Sequence, residues 1–206
     1  DHGALTCLLS TAEIYGQGHD ACVRGVEEAA AGVLDSIDPR AAYPESKRLA
    51  EALCVAYQRQ HGVGYRIARL AHTYGPGMRL DDPRVQAYFM RQALNGENIT
   101  LQSNGRAERS YTYVSDAVSG LLHLFAAPES LVCNIANERA IVSIADLART
   151  VLRCCPDSRA ELKFPNTAAG ESAPTMAPPI LDCSRLRALG WSPRVDLAAG
   201  IRGTLP

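Results

Sequence analysis

The sequence predicts an α/β fold in which part of a parallel sheet with flanking helices is followed by a small mixed α/β lobe. Three observations carry that expectation. A short apolar run at residues 4–9, ALTCLL, breaks off at Ser10 into the polar, glycine-bearing stretch STAEIYGQGHD, as a buried parallel strand does at its C-terminal end. From Pro44 to about His61 the pattern is helical, with Leu49, Leu53, Ala56 and Tyr57 on one face. The segment GYRIARLAHTYGPG then switches to a strand that runs into a glycine and proline loop. Strand, helix and strand in that order make a right-handed crossover unit.

The other elements follow in turn. Residues 17–40 mix signals: GVEEAAAGVL is helical in composition and DSIDPR reads as a turn. Beyond Pro83 a helix runs through Leu94 to NGEN, and ITLQ is a short strand. SYTYV is a strand leading into a helix from Ser115 to about Ala126, with Val118, Leu121, Leu122 and Phe125 expected on its inner face. VCNIAN is a further strand, and SIADLARTVLRCC a helix with a serine N-cap. PNTAAGESAPTMAPP has no period and reads as an irregular loop, and CSRLRALG and LAAGIRGT are short closing helices. No internal repeat is visible.

Composition narrows the function classes. The 206 residues are 47% hydrophobic and 21% charged, ordinary for a globular chain, with a formal net charge of -1. The absence of a basic run argues against a nucleic-acid partner. The cysteines at 7, 22, 54, 133, 154, 155 and 183 are odd in number and lack a CxxC pair, which argues against a disulfide framework and a zinc site. No apolar stretch approaches the roughly 18 residues of a membrane helix, and no charged leader precedes an apolar run. The expectation is a soluble chain without a membrane partner, at home in a reducing cytoplasm.

One stretch carries chemistry. In AAYPESKRLAEAL, Tyr43 and Lys47 stand four apart at the start of a helix, where positions i and i+4 lie one above the other. An ammonium held near a phenol favours the phenolate and lowers a pKa that is ordinarily about 10. Tyr43 so placed is a usable acid or base near neutral pH. By itself a YxxxK spacing is common, and an ordinary helix start with a solvated lysine would look the same.

Context decides between these readings. STAEIYG, then YPESK, then RIARLAHTYGPG resemble the later part of an extended short-chain dehydrogenase/reductase of the NAD-dependent nucleotide-sugar epimerase, dehydratase and decarboxylase group, close to UDP-glucuronate decarboxylases. RSYTYVSDAVSGLL and DCSRLRALGWSP extend the likeness into that family's substrate lobe, so it covers nearly the whole chain. The resemblance implies a partial Rossmann-type sheet at residues 1–74 and a substrate-binding lobe at residues 75–206. It implies catalytic roles for Thr11, Glu13, Tyr43 and Lys47. Thr11 orients a sugar oxygen, Tyr43 takes its proton while NAD takes a hydride from the same carbon, and Lys47 lowers the phenol's pKa and holds the nicotinamide ribose. Tyr43 and Lys47 are thus also the cofactor-binding pair. Substrate contacts are implied at His72, Arg84 and Arg109, Arg109 pairing with a diphosphate or a sugar carboxylate as a bidentate guanidinium suits. Ala12 stands where one large dehydratase subgroup has an aspartate, which favours a decarboxylase or an epimerase. Family members commonly form homodimers through the YxxxK helix.

The chain departs from that family at three places. No glycine-rich GxxGxxG turn follows a first strand, and GVGYR near residue 62 has neither the spacing nor the following helix. The chain is therefore expected to begin at the family's fifth strand, as a piece of a longer protein or a natural truncation, and to bind NAD weakly or not at all alone. His72 occupies a position usually held by asparagine, and residues 171–180 lack an arginine often found there. Two functions remain open: NAD-dependent modification of a nucleotide-linked sugar, or a non-catalytic binding or dimerisation domain that keeps the fold.

Overall fold

The computed structural model describes residues 4–16, 25–165 and 179–206. Strand β1 (Thr6–Thr11) leads through a 3-10 turn at Ala12–Tyr15 and a long connection to helix α1 (Ala42–His61) and strand β2 (Tyr65–Leu70). β1 and β2 pair in parallel, in register from Thr6 opposite Tyr65 to Thr11 opposite Leu70. This is the expected crossover. Helix α1 follows a 3-10 turn whose Asp38 carboxylate accepts the Arg40 N–H at 2.9 Å. Pro44 falls in the first helical turn, where the N–H it lacks would have had no intrahelical partner. Gly62 closes the helix in the left-handed region, φ 70°, donating its N–H to the Gln58 carbonyl.

Strand β3 (His72–Tyr74), helix α2 (Val85–Asn95), strand β4 (Ile99–Thr100) and strand β5 (Glu108–Tyr113) come next. Helix α3 (Val114–Phe125) and strand β6 (Leu131–Ile135) follow, then strand β7 (Ile141–Ser143) and helix α4 (Ile144–Cys154). Strand β8 (Leu162–Lys163) and helices α5 (Ser184–Ala188) and α6 (Leu197–Thr204) complete the described elements. β6 joins β2 in parallel, giving the strand order β1-β2-β6. A second sheet places β5 between β3, parallel, and β7, antiparallel. β4 pairs with β8. β7 and β8 are not among the expected strands: at three and two residues neither has a measurable period, and neither stands as a separate apolar run in the sequence as ITLQ does after NGEN.

Two apolar cores result. One packs Tyr15, Ala68, Leu124, Cys133, Ile135, Leu186 and Trp191 around the parallel sheet. The other packs Phe89, Met90, Ile99, Tyr111, Leu147, Val151 and Ile201 around the smaller sheet. Asp116 at the start of α3 ties distant segments together: its buried carboxylate accepts the N–H groups of Arg194 and Val195, and its carbonyl accepts the Trp191 indole N–H.

Two expectations need correction. The inner face of α3 is Ala117, Gly120 and Leu124 with Leu121 half-buried, whereas Val118, Leu122 and Phe125 are exposed, Leu122 at 66%. The helix is apolar over more than one stripe, and the sheet accepts the stripe of small residues: a Cβ on Gly120 would come within 3.0 Å of Ile135. Nor is GVEEAAAGVL a helix. Val26 bridges to Leu181, Gly32 packs so tightly that a Cβ would meet the Tyr15 carbonyl oxygen at 1.8 Å, and Arg48 hydrogen-bonds the Gly32 carbonyl. Tertiary contacts override the helical composition. The loop expected at residues 165–179 lies largely outside the described residues. No described helix is long and apolar enough to cross a membrane.

Candidate functional site

The C-terminal ends of parallel strands are where α/β sheets leave a crevice. A cleft of about 440 Å³ opens there, and its lining includes Thr11, Glu13, Tyr43, Lys47, His72, Arg84 and Arg109. These residues come from the end of β1, the turn after it, the first turns of α1, the start of β3, the loop before α2, and β5. The structure thus brings all seven sequence-predicted site residues to one cavity.

Thr11 is buried at the end of β1, and its hydroxyl accepts the Glu13 N–H at 3.2 Å. Glu13 is half-buried with its carboxyl pushed above the ordinary range by loss of solvent. Across the cleft Tyr43 is 49% exposed, and the Lys47 ammonium lies 5.9 Å from the centre of its ring. Lys47 Nζ also donates to the Leu9 carbonyl at 2.9 Å, which pins the first turns of α1 against β1.

The far wall is cationic. Arg84 forms a two-pronged ion pair with Asp82 at 2.8 and 2.9 Å, which holds the Asp82 carboxyl down at about 2. Arg109 is half-buried, and burial lowers its guanidinium's affinity for the proton. It donates to the Glu108 carbonyl at 2.7 Å and has no carboxylate partner among the described residues. His72 stacks on Tyr111 with ring centres 5.6 Å apart and planes 29° from parallel. Burial, with Arg109 and Arg84 adding to it, lowers the His72 pKa to about 4, so the imidazole is neutral at physiological pH.

Behind the cleft lies a network that sequence reasoning missed. Ser10 Oγ donates to Glu51 at 2.5 Å, and Glu51 takes two hydrogen bonds from Arg69 at 3.1 and 2.7 Å. Arg69 also donates to the Tyr15 hydroxyl, which donates to Asn134 at 2.7 Å, and Asn134 reaches the carbonyls of Val26 and Asp182. Two signals were available: Glu51 stands one helical turn beyond Lys47, and Arg69 interrupts an apolar strand.

The sequence profile of the NAD dependent epimerase/dehydratase family matches residues 3–153. The chain belongs to that family. Among curated proteins this family member is 39% identical over 202 residues to UDP-glucuronic acid decarboxylase 6 of Arabidopsis thaliana, covering 97% of this chain and 56% of the relative. It is 38% identical over 205 residues to UDP-glucuronic acid decarboxylase 1 of Xenopus tropicalis, covering 98% and 46%. The chain spans about half the length of the curated relatives it matches. Among solved structures, UDP-glucose 4-epimerase from Thermotoga maritima, a complex with UDP-glucose, superimposes with a TM-score of 0.80 at 25% identity, covering 97% of this chain and 62% of that one. The UDP-glucuronic acid 4-epimerase of Bacillus cereus, in complex with UDP-glucuronic acid and NAD, shares the fold with a TM-score of 0.77 at 22% identity over 97% of this chain and 59% of its own.

Proposed function

We propose that this chain is the substrate-side part of an NAD-dependent enzyme that modifies a nucleotide-linked sugar, with decarboxylation of a UDP-hexuronate as its reaction. The observation that carries the reading is the single cleft in which a phenol, an ammonium, a hydroxyl and a carboxylate face two guanidinium groups. Relatives named as UDP-glucuronic acid decarboxylases support the choice of reaction, as does Ala12, which leaves Glu13 as the carboxyl group nearest Thr11.

In this reading Tyr43 takes the proton of a sugar hydroxyl held by Thr11. NAD, were it bound, would supply the hydride acceptor for the carbon bearing that hydroxyl and the hydride donor that closes the cycle. The ketone so formed lies β to a carboxylate, and the carbon–carbon bond to that carboxylate breaks with release of carbon dioxide, the electron pair passing to the enolate. Glu13, whose raised carboxyl pKa keeps a proton available closer to neutrality, reprotonates the carbon. Tyr43 returns its proton to the oxygen when the alcohol is restored. Lys47 fits the cofactor's ribose: it spends one of its three ammonium N–H groups on Leu9 and has donors left at the rim of the cleft. Arg109 takes the anionic group of the substrate, Arg84 supports it, and His72 completes the substrate wall.

Other features accord with a larger assembly. β1 pairs with β2 on one side only among the described residues, and Leu9 on it is exposed, so a further strand from the rest of a longer protein would extend the sheet. Exposed Leu49, Leu53 and Tyr57 on α1 suit a helix-mediated homodimer. The test is product mass from a longer protein containing this chain, incubated with NAD and UDP-glucuronate. A UDP-pentose supports the proposal, an isomer of UDP-glucuronate points to epimerisation, and absence of any conversion points to a binding or dimerisation role.

A further inference from the structure

We propose that Cys154 and Cys155, neighbours at the end of α4, form a dithiol binding site for a trivalent arsenical that carries one apolar group. The site lies outside the cleft and shares no lining residue with it. It stands or falls independently of the nucleotide-sugar reading.

The ends of three helices build the hollow. Ala93 and Leu94 from the last turn of α2, Cys154, Cys155 and Pro156 from the end of α4, and Leu205 just past α6 line a cavity of about 540 Å³. Hydrogen bonds fix the turn that carries the cysteines. The Cys155 N–H donates to the Leu152 carbonyl at 3.1 Å, the Cys155 carbonyl accepts the Ser158 N–H at 3.0 Å, and the Ser158 hydroxyl donates to the Ala93 carbonyl at 2.6 Å. The last of these ties the turn to α2. Cys154 is the final residue of the helix, whereas Cys155 leaves it, at φ -120° and ψ 68°, as the following proline disfavours helical geometry in the residue before it. Successive side chains of a helix diverge by about 100°. The break at Cys155 lets both residues line one hollow.

Chemistry selects the occupant. Both thiols are free and half-buried, and the Cys154 thiol spends itself only on a long bond of 3.6 Å to the Ala198 carbonyl. Burial, with Cys154 beside it adding to the effect, raises the Cys155 pKa, so that thiol keeps its proton at neutral pH. An ion that needs thiolates is thereby disfavoured. Among the described residues no third His, Cys, Asp or Glu joins the pair, which leaves the four-coordinate set of zinc half filled. A disulfide between neighbours is strained, because their Cα atoms stand about 3.8 Å apart, short of the roughly 4.4 Å at which relaxed bridges begin. A monosubstituted arsenic(III) oxide needs what the pair has. Two arsenic–sulfur bonds form as the arsenic–oxygen bond breaks, both thiol protons leave with the oxygen as water, and nothing is oxidised or reduced. The arsenic atom also lengthens the bridge between the sulfurs, and Ala93, Leu94 and Leu205 give its organic group an apolar wall.

The test titrates phenylarsine oxide into the native chain at pH 7, reading stoichiometry by intact mass and affinity by calorimetry. One phenylarsenic group per chain is expected, mapped to Cys154 and Cys155 by peptide mass. Cys154→Ser and Cys155→Ser each remove the intramolecular second bond and should weaken binding by about 10²–10⁴-fold, whereas Cys54→Ser should leave it unchanged. A synthetic peptide of residues 151–158 has both thiols without the hollow, and should bind about tenfold more weakly than the chain, the scale of burying one apolar group. A peptide that binds as tightly as the chain would show that the fold contributes nothing and overturn the proposal, as would full affinity in either serine variant. Should a serine variant fail to fold, the native adduct decides: it is expected to survive excess mercaptoethanol, a monothiol, and to be released by the dithiol dimercaprol. Loss to the monothiol refutes attachment at two sulfurs.

Discussion

Ser10 and Glu51 meet at 2.5 Å, joining the strand that ends in Thr11 to the helix that carries Tyr43 and Lys47. Lys47 makes a second tie one turn earlier, to the Leu9 carbonyl. Two adjacent strand residues are thereby held by two helix residues four apart, which sets how far α1 can slide along β1. The arrangement depends on charge balance, since the carboxylate that receives Ser10 also neutralises the largely buried Arg69.

Replacing Glu51 by leucine should therefore cost on the order of 3–5 kcal/mol, because it leaves the Arg69 cation without its carboxylate partner. Ser10→Ala removes one bond and leaves the ion pair, and should cost about 1 kcal/mol. Urea unfolding followed by circular dichroism distinguishes the two, and equal losses would mean that Glu51 serves Ser10 rather than Arg69.

His72 makes stability depend on acid. Unfolded, its imidazole takes a proton below about 6.5, whereas in the fold it resists protonation down to about 4. Between these values the unfolded state binds more protons, so stability is full above about 6.5 and falls as the pH drops toward 4, by a total on the order of 3 kcal/mol. Glu13 acts in the opposite sense, because its raised carboxyl favours the fold in acid and loses that advantage as the pH rises through its folded value. Comparing the native chain with His72→Phe between pH 7 and pH 4.5 cancels the carboxylates common to both. The native chain should lose more stability than the variant.

Asp116 offers a test of packing between distant segments. Its carboxylate accepts backbone N–H groups of Arg194 and Val195 at 3.0 and 2.9 Å. Asp116→Ala leaves both donors without that partner and should cost about 2–4 kcal/mol. The chain has a single tryptophan, Trp191, whose indole bonds to the Asp116 carbonyl, so its fluorescence should shift to longer wavelength in the variant.

For the dimer, sedimentation of the native chain should show self-association that Leu53→Glu abolishes. Leu49, Leu53 and Tyr57 recur every four residues along the exposed face of α1, and a charge at the middle of that stripe would have to be desolvated on pairing. A native chain that stays monomeric at high concentration would remove α1 as an interface.

In a longer active protein, Tyr43→Phe should lower turnover by about 10²–10⁴-fold while leaving nucleotide-sugar affinity nearly unchanged, since the ring remains and only the proton-accepting oxygen is lost. Arg109→Ala should chiefly raise the Michaelis constant if its partner is the diphosphate, and lower turnover if it grips a reacting carboxylate. Stopped-flow absorbance of reduced cofactor separates these outcomes.

Much of the molecule is legible in the sequence. The crossover of β1, α1 and β2 follows from apolar patterning that each segment carries within itself, and Ser143 announces α4 through the Asp146 N–H it accepts at 3.0 Å. The residues of the cleft were legible for a different reason. Thr11, Tyr43 and Lys47 stand in short motifs, and a parallel crossover must bring the end of one strand and the start of its helix to the same edge of the sheet.

What the sequence determined by itself is therefore local: the period of each long element, its caps, and the cluster of reactive groups at one sheet edge. Tertiary structure alone decided which apolar stripe of α3 is covered, since both stripes satisfy the helical period and only the one with Gly120 fits against Ile135. It decided that residues 25–34 form no helix, because the approach of Gly32 to the Tyr15 backbone and the Val26–Leu181 bridge join segments far apart in the chain. It decided, too, which charges are buried. Nothing local separates Glu51 from a solvated helix carboxylate. Its burial follows from the arrival of Arg69 on the neighbouring strand and Ser10 on the next, partners 18 and 41 residues away whose proximity exists only once the sheet has formed.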